Sequence, residues 1–187
     1  RAKETDALLP NSPYAATKAA GDCLVRSYFI TYGVPVIISR STNNFGPYQY
    51  PEKAIPLFIT NLLENRSVPL YGDGLNRRDW IYVLDNCRAI DTILRKGSIG
   101  EIYNIAAGSE IANVALTKKI LKLMEKNDSC IQYVKDRPGH DRRYALDCTK
   151  LKSLGWHLEF SFDKALVLTA DWYRNNPHWW KKLKKPF

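Results

Sequence analysis

The chain has 187 residues, of which 45% are apolar and 25% are charged. Both fractions are ordinary for a globular protein, whereas a disordered chain would hold fewer apolar residues and more net charge per residue. A chain of this length can bury enough surface to form a core without disulfide bonds. No apolar run approaches the roughly 18 residues that a membrane-spanning helix needs, so the sequence predicts no such helix.

Basic residues exceed acidic ones. Lysine and arginine number 28 against 19 aspartates and glutamates, which gives a formal net charge of +9. Part of the excess is a basic tail: Lys181, Lys182, Lys184 and Lys185. Such a tail is usually a solvated chain end, so we predict no nucleic-acid partner. The moderately basic remainder would suit a phosphate-bearing small substrate, although charge alone does not identify one.

The thiols and imidazoles suggest no metal site. The four cysteines are Cys23, Cys87, Cys130 and Cys148. None belongs to a CxxC pair and their spacing matches no zinc module, so we expect buried, reduced thiols in a cytoplasmic protein. The three histidines are scattered along the chain, which argues against a set of metal ligands.

The first predicted helix covers residues 13–32. Ser12 is a good N-cap, Pro13 suits the first helical position, and Gly33 is a typical left-handed C-cap. The apolar, β-branched run over 34–39 predicts a strand that is buried on both faces within a parallel sheet. A helix, a glycine turn and a buried strand together form half of a βαβ unit.

A polar and aromatic loop over 41–53 follows this strand directly. Ligands bind at the carboxyl edge of open α/β sheets, so we expect the loop to border a binding site. The rest of the chain continues the alternation of apolar patterns. We predict helices over 54–66, 84–96, 114–126, 149–154 and 162–175, extended segments over 68–71, 79–83, 101–106 and 131–135, and loops over 72–74 and 136–144. This alternation predicts an α/β fold.

A glycine-rich phosphate-binding turn is missing from the sequence. No GxGxxG or GxxGxxG motif occurs, although a dinucleotide-binding protein needs such a turn. The chain begins at Arg1 and its only methionine is Met124, so we expect a further segment upstream of Arg1. If the protein binds a nucleotide cofactor, its phosphate-binding turn lies in that segment.

Tyr14 and Lys18 are four residues apart in the first helix and therefore share one face. A free phenol has a pKa near ~10 and is a poor base at neutral pH. A nearby ammonium favours the phenolate and lowers that pKa. The pair can then take a proton from a sugar hydroxyl while hydride leaves the same carbon. Because both residue types are common, a chance pair on the surface is the alternative.

Several segments resemble known enzymes. The segment SPYAATKAAGD over 12–22 resembles the active-site helix of the extended short-chain dehydrogenase/reductases. Other segments resemble one branch of that family, the dTDP-glucose 4,6-dehydratases. They are RSTNNFGPYQ over 40–49, PEK over 51–53, YGDG over 71–74, RDW over 78–80, YNI over 103–105, DRPGHD over 136–141, WY over 172–173 and WW over 179–180. The resemblance covers essentially the whole chain.

The resemblance implies an incomplete Rossmann-like, doubly wound parallel sheet with a smaller α/β substrate-binding lobe. Residues 1–45 and 80–107 would be the remainder of the NAD-binding lobe, and 46–79 and 108–187 the sugar-nucleotide-binding lobe. The family further implies NAD as the cofactor, a dTDP-sugar as the substrate and a homodimer formed through the active-site helix.

The family reaction has three steps. Tyr14 would take the proton of the sugar 4-hydroxyl as hydride passes from C4 to NAD. Water is then eliminated across C5 and C6, and hydride returns to C6, which yields dTDP-4-keto-6-deoxyglucose. The acid and base of the elimination are a consecutive Asp and Glu after a Thr, and no such triplet occurs in this chain.

The resemblance assigns further residues one by one. The cofactor contacts would be Tyr14, Lys18 and Asn44. The substrate contacts would be Asn43, Lys53, Ala54, Pro69, Leu70, Tyr71, Arg78, Asn113, Asp136, Arg137, Pro138, Gly139 and His140. The planar donors of arginine suit diphosphate oxygens, and a helix N-terminus near Asn113 favours phosphate.

Each assignment has a structural alternative. The two asparagines suit a turn, and Asn113 suits the N-cap of the helix over 114–126. Arg78 and Arg137 have carboxylates nearby in the sequence with which they could pair. We expect four tryptophans to serve packing: Trp156, Trp172, Trp179 and Trp180.

The sequence also departs from the family pattern. Ala54 stands where leucine is usual, Phe45 stands where tyrosine is usual, and Ala-Ala-Gly over 106–108 replaces a more glycine-rich stretch. These differences affect the outline of the pocket and leave the implied catalytic groups in place.

The leading interpretation is the C-terminal part of an NAD-dependent dTDP-glucose 4,6-dehydratase, inactive as a fragment on its own. One alternative is an epimerase or decarboxylase of sugar nucleotides from the same superfamily. Another is a sugar-nucleotide-binding module without activity. An upstream GxxGxxG motif and a Thr-Asp-Glu triplet would favour the dehydratase.

Overall fold

The computed structural model describes residues 1–184, so Lys185 of the basic tail lies outside the described residues. The helices are α1 (Pro13–Tyr32), α2 (Ala54–Leu63), α3 (Val83–Lys96), α4 (Asn113–Leu123), α5 (Thr149–Ser153), α6 (Phe162–Asn175) and α7 (Pro177–Leu183), with a 3₁₀ turn at Asp128–Cys130. The strands are β1 (Ile38–Ser41), β2 (Asn43–Phe45), β3 (Val68–Tyr71), β4 (Arg77–Tyr82), β5 (Ile102–Ile105), β6 (Glu110–Ala112), β7 (Ile131–Val134) and β8 (Arg143–Tyr144). None of these helices is long and apolar enough to cross a membrane.

Most strand pairs are parallel, which confirms the predicted α/β class. Strand β1 pairs with β5, β2 pairs with β4, and β3 pairs with β7, all in parallel. Strand β4 also pairs with β6 in antiparallel fashion and with β8 in parallel. The strands expected over 34–39 and 101–106 are therefore direct neighbours, with Ile38 opposite Ile102.

The helix predicted over 13–32 forms with the predicted caps. The Ser12 hydroxyl accepts a hydrogen bond from the Ala15 amide at 3.2 Å, and Gly33 adopts a left-handed φ of 66°. None of the residues of α1 is buried in the described chain. Its exposed apolar side chains include Leu24, Val25, Tyr28, Ile30 and Tyr32.

Two boundaries near β1 differ from the prediction. The strand begins at Ile38 rather than at residue 34, because the ladder to β5 starts where the Ile38 amide bonds to the Glu101 carbonyl at 3.0 Å. The prediction of burial on both faces is wrong, because Ile38 is the only buried residue of β1. The loop expected over 41–53 contains β2, since residues 43–45 pair with residues 80–82 of β4.

Helices α2 and α4 end about three residues earlier than predicted. Asn65 and Glu125 each adopt a left-handed φ of 55° just beyond the helix. The following amide then bonds back to the helix, from Arg66 to the Asn61 carbonyl and from Lys126 to the Leu121 carbonyl. This is the Schellman arrangement, formed here without the glycine that usually marks it in a sequence.

Three further expectations need correction. Asn113 is the first residue of α4 rather than its N-cap, and the cap position is held by Ala112. The predicted loop over 136–144 ends in strand β8, and helix α7 was not predicted. Of the four cysteines, which are all free, Cys148 is buried, whereas Cys23 and Cys87 are exposed.

Two hydrophobic cores lie on either side of β4. Trp80 and Tyr82 belong to the larger core, which includes α2, α4 and α6. Ile81 belongs to the smaller core, which includes α3, β5 and residues 146–156. Successive side chains of a strand point to opposite faces, so β4 forms a wall between the two cores. All four tryptophans expected to pack do so, either in a core or against one.

Replacing Glu125 by glycine should stabilise the protein by about 0.5–1 kcal/mol, because glycine adopts a left-handed φ without a steric penalty. The gain should raise the unfolding temperature by roughly 1–4 °C. Glu125→Ala removes the same carboxylate and keeps the β-carbon, so it should give no such rise. Equal rises in both variants would contradict backbone strain as the cause.

Candidate active site

Tyr14 and Lys18 are both exposed at the N-terminal end of α1, with Tyr14 75% accessible. Neither the Tyr14 hydroxyl nor the Lys18 ammonium has a hydrogen-bond partner within residues 1–184, so both groups are open to a ligand. Strand β8 lies close to this end of the helix. Burial raises the pKa of Tyr144, and the nearby Tyr14 raises it further. The Tyr144 hydroxyl donates to the Ser41 carbonyl at 3.3 Å, which ties β8 to the end of β1.

A salt bridge ties α1 to the parallel strands. Arg40 on β1 donates from Nε to Asp22 Oδ2 of α1 at 2.6 Å, and both side chains are largely buried. The segment before the helix is also anchored, since Glu4 accepts a hydrogen bond from the Asn104 amide of β5 at 3.0 Å. Helix α1 is thereby held to β1 through Asp22, and the segment before the helix is held to β5.

Asn43 and Asn44 lie on strand β2 rather than in a turn, opposite Trp80 and Ile81. The Asn44 side chain donates from Nδ2 to the Thr42 carbonyl at 3.3 Å. In the other direction, the Gln49 amide donates to the Asn44 carbonyl at 2.8 Å. The interpretation of these asparagines as turn residues is therefore wrong, because a strand partner far along the chain determines their conformation.

This stretch contains a group of buried acceptors without partners among the described residues. They are Thr42 Oγ1, Asn44 Oδ1 and Gln49 Oε1. An unpaired buried polar atom costs about 1–3 kcal/mol. A bound group that presents N–H or O–H donors would remove that cost. The arrangement therefore fits a ligand with amide or hydroxyl donors, as a nicotinamide carboxamide or a ribose would present.

A second group of candidate residues surrounds Tyr71 at the end of β3. The Arg137 guanidinium lies 5.4 Å from the centroid of the Tyr71 ring, and the His140 ring approaches it edge-on at 6.4 Å. His140 Nδ1 is 2.6 Å from Asp136 Oδ1. The hydrogen bond from His140 is the main cause that lowers the pKa of Asp136. The hydrogen bond between Asp136 and His140 thus joins the two ends of the loop over 136–140, which lies beside the Tyr71 ring.

Arg78 on β4 does not pair with the adjacent carboxylate. Its guanidinium donates to the main-chain carbonyls of Arg77 and Asp141 at 2.8 and 2.7 Å. Burial lowers the pKa of Arg78, and the nearby Arg137 lowers it further. The Asp79 carboxylate instead accepts from the amides of Gly108 and Ser109, at 2.8 and 3.2 Å. Two neighbouring guanidiniums suit the oxygens of a diphosphate.

The remaining candidates occupy varied positions. Lys53 is exposed and its ammonium lies 3.0 Å from Glu52. The Leu70 side chain is 1% exposed in the core, so only its main chain could meet a ligand. Ala54 begins α2, Pro69 lies half-buried on β3, and Asn113 follows the residue of β6 that pairs with Arg77. The exposed Pro138 and Gly139 lie in the loop beside Tyr71.

Sequence reasoning missed the ion pairs that hold this region together. Glu110 on β6 accepts two hydrogen bonds from Arg143, at 2.6 and 2.8 Å, and lies near Arg1 and Arg77. The Arg143 hydrogen bonds lower the pKa of Glu110 to about 2. Arg142 similarly binds Asp73 through two nitrogens and lowers its pKa to about 2. In the sequence, only the high charge of the segment 136–143 indicated that ion pairs form here.

Within residues 1–184, no group of three or more His, Cys, Asp or Glu side chains could hold a metal ion. The candidate site therefore consists of a phenol and an ammonium on α1, buried amides along β2, and arginines on β4 and the 136–143 segment.

Comparison with known proteins identifies the class. Residues 1–169 match the family model described as GDP-mannose 4,6 dehydratase, and the chain belongs to this family of sugar-nucleotide 4,6-dehydratases. A dTDP-glucose 4,6-dehydratase of Streptomyces niveus is 49% identical over 184 residues, which are 98% of this chain and 55% of that protein.

Two solved structures share the fold. The dTDP-glucose 4,6-dehydratase of Bacillus anthracis in complex with NAD has a TM-score of 0.94 at 49% identity, covering 98% of this chain and 59% of that one. DesIV of Streptomyces venezuelae, a dTDP-glucose 4,6-dehydratase with NAD and TYD bound, has a TM-score of 0.95 at 49% identity, covering 97% and 57%. The chain thus spans about half the length of the relatives it matches.

Acid should weaken the contacts around Glu110. Its carboxylate has a folded-state pKa of about 2 against an ordinary value of 4.5, so its stabilising effect is complete above pH 4.5 and is lost as the pH falls towards 2. Thermal unfolding between pH 5 and pH 2 should therefore show a smaller drop in unfolding temperature for Glu110→Gln than for the wild type. The same substitution at the exposed Glu125 should leave the wild-type slope. Identical slopes in all three proteins would contradict the assignment.

Proposed function

We propose that this chain forms part of an NAD-dependent dTDP-glucose 4,6-dehydratase. The observation that carries the proposal is the Tyr14–Lys18 pair, whose two side chains are exposed four residues apart near the start of α1. The similarity to dTDP-glucose 4,6-dehydratases over nearly the whole chain supports it. In this proposal the full-length protein converts dTDP-glucose to dTDP-4-keto-6-deoxyglucose.

Tyr14 acts as the base of the oxidation. Tyr14 Oη takes the proton of the sugar 4-hydroxyl, with the Lys18 ammonium one helical turn away on the same face. Lys18 also holds the nicotinamide ribose, and Asn44 contacts the cofactor. When bound, NAD would accept the hydride from C4 and would return it to C6. The acid and base for water elimination lie in the part of the protein outside this chain.

The substrate is held mainly through its nucleoside diphosphate. Arg78 and Arg137 neutralise the diphosphate oxygens, and Asn113 at the start of α4 assists them. Tyr71, with the Arg137 guanidinium over its ring, offers an aromatic surface on which the nucleobase of the substrate can stack. The other proposed substrate contacts are Asn43, Lys53, Ala54, Pro69, the main chain of Leu70, Asp136, Pro138, Gly139 and His140.

The lobes follow from the same proposal. Residues 1–45 and 80–107 belong to the cofactor lobe, and 46–79 and 108–187 to the substrate lobe. The parallel β1–β5 pair supports the first assignment. Residues 146–156 form part of the smaller core together with α3, so this segment of the substrate lobe would dock on the cofactor lobe. The exposed apolar side chains of α1 support a homodimer formed through that helix.

Tyr14→Phe in the full-length protein should lower turnover of dTDP-glucose by about two to four decades, because it removes the base and keeps the ring. Formation of the 4-keto sugar measures this loss, and calorimetry should give unchanged affinity for the substrate. Tyr133→Phe removes the hydroxyl of an exposed tyrosine on β7 and should leave turnover unchanged. Near-normal turnover of dTDP-glucose by the Tyr14→Phe variant would contradict the assignment of Tyr14 as the catalytic base.

This chain by itself should neither bind NAD tightly nor produce keto sugar. Most dinucleotide affinity comes from a glycine-rich turn at a helix N-terminus, which the chain lacks. It should retain weak binding of thymidine diphosphate through Arg78, Arg137 and Asn113. Calorimetry on the isolated chain tests both statements. Micromolar binding of NAD would contradict the first, and loss of all thymidine diphosphate binding would contradict the assigned substrate contacts.

A further inference from the structure

We propose that the C-terminal helices α6 and α7 position Asn44 through the loop over residues 46–53, with Tyr173 and Gln49 as the positioning residues. This inference rests on the proposed contact of Asn44 with the cofactor. The loop, called here the connecting loop, joins β2 to α2 and so runs between two candidate site residues, Asn44 and Lys53.

A chain of hydrogen bonds leads from α6 to Asn44. The Tyr173 hydroxyl donates to the Gln49 main-chain carbonyl, and the Gln49 side chain donates to the Asn44 main-chain carbonyl at 2.8 Å. The Tyr173 side chain is fully buried. On its other side, the Trp180 indole of α7 donates to the Tyr173 carbonyl at 2.8 Å. Each member is thus held by the next, from α7 to β2.

The backbone of the connecting loop gives independent support. Tyr48 has a φ of 62°, a left-handed conformation that residues with a β-carbon rarely adopt. Its ring lies 4.6 Å from the Trp172 ring and 5.6 Å from the Trp179 ring, centroid to centroid. Strained backbone persists only where surrounding contacts hold it. Here the contacts come from α6 and α7, the same helices that reach Gln49.

The chain of contacts ends at a residue that keeps an unsatisfied hydrogen-bond acceptor. Two buried side-chain oxygens have no hydrogen-bond partner among the described residues, Asn44 Oδ1 and Gln49 Oε1. A small shift of the Gln49 main chain would move its amide away from Asn44 and free the carbonyl of β2. A contact between Asn44 and the cofactor would be sensitive to such a shift, because a small displacement of a positioned group can cost much of its effect. Helices that otherwise belong to the larger core therefore influence the cofactor side of the site.

The competing explanation is that the Tyr173 hydroxyl only satisfies a buried carbonyl and stabilises the fold. Thr169 offers a matched control on the same helix. Its hydroxyl is also fully buried, but it donates to the Ala165 carbonyl of α6 at 2.7 Å and makes no link to the connecting loop. Tyr173→Phe and Thr169→Val each remove one buried hydroxyl and keep the side-chain volume.

The experiment compares these variants in the full-length protein. Hydrogen exchange without ligand should show several-fold faster exchange of the amides of residues 46 and 48–50 in Tyr173→Phe and wild-type exchange in Thr169→Val. Calorimetry should show NAD binding weakened about fivefold in Tyr173→Phe, as the loss of one hydrogen bond of about 1 kcal/mol gives. Thymidine diphosphate binding should change less than twofold. Both variants should show similar decreases in unfolding temperature.

A third variant tests the order of the contacts. Gln49→Leu should weaken NAD binding to a similar extent, and adding Tyr173→Phe to it should cause little further loss, because both act through one chain of bonds. Additive losses would overturn the proposal. Equal effects of Tyr173→Phe and Thr169→Val on NAD binding would also overturn it.

The exchange measurement separates this inference from the proposed function. If the wild-type protein binds no NAD, the proposed function fails. Faster exchange of the connecting loop in Tyr173→Phe would still establish the link from α6 to that loop. If exchange is unchanged in that variant, the positioning role is wrong whatever the wild-type protein binds.

Discussion

The two cores and the candidate site both depend on strand β4. It pairs with β2, β6 and β8, and its alternating side chains enter a different core on each face. Asp79 in the middle of this strand is fully buried, and burial raises its pKa even though it accepts two amides from residues 108 and 109. These bonds fix the segment after β5 against β4. The same strand carries Arg78 and lies beside Asn43, so one element aligns the proposed diphosphate contacts with the cofactor edge.

Local signals in the sequence were sufficient for some of the fold. Helix α1 was predicted with both of its caps, because Ser12 and Gly33 act on their own neighbours. Strand β2 was missed since only its pairing with residues 80–82, far along the chain, makes it a strand. The ends of α2 and α4 were misjudged for a different reason. Asn65 and Glu125 take the left-handed position usually occupied by glycine. Asparagine adopts that conformation less readily than glycine, and glutamate rarely does, so neither helix end carries the glycine that marks it most clearly.

In the candidate site, too, some residues were predicted from the sequence, whereas others depend on partners far along the chain. Tyr14 and Lys18 were predicted from their helical spacing together with the family resemblance, and the asparagines and arginines from the resemblance. The residues that hold these groups in place could not be found. Glu110 meets Arg143, and Tyr173 meets Gln49, across separations of 33 and 124 residues. Nothing in the local sequence of either partner indicates the other. Contacts of this kind arise only when the strands and helices have been assembled.

The helix that carries the proposed base, α1, packs loosely against the rest of the described chain. Helix α1 has no buried residue, and its main links to the rest are the Asp22–Arg40 salt bridge and the packing of Phe29 against Gly100. A single partly buried ion pair gives a modest stabilisation, whereas covering several exposed apolar side chains would give more. The orientation of Tyr14 therefore depends on what covers the apolar face of α1.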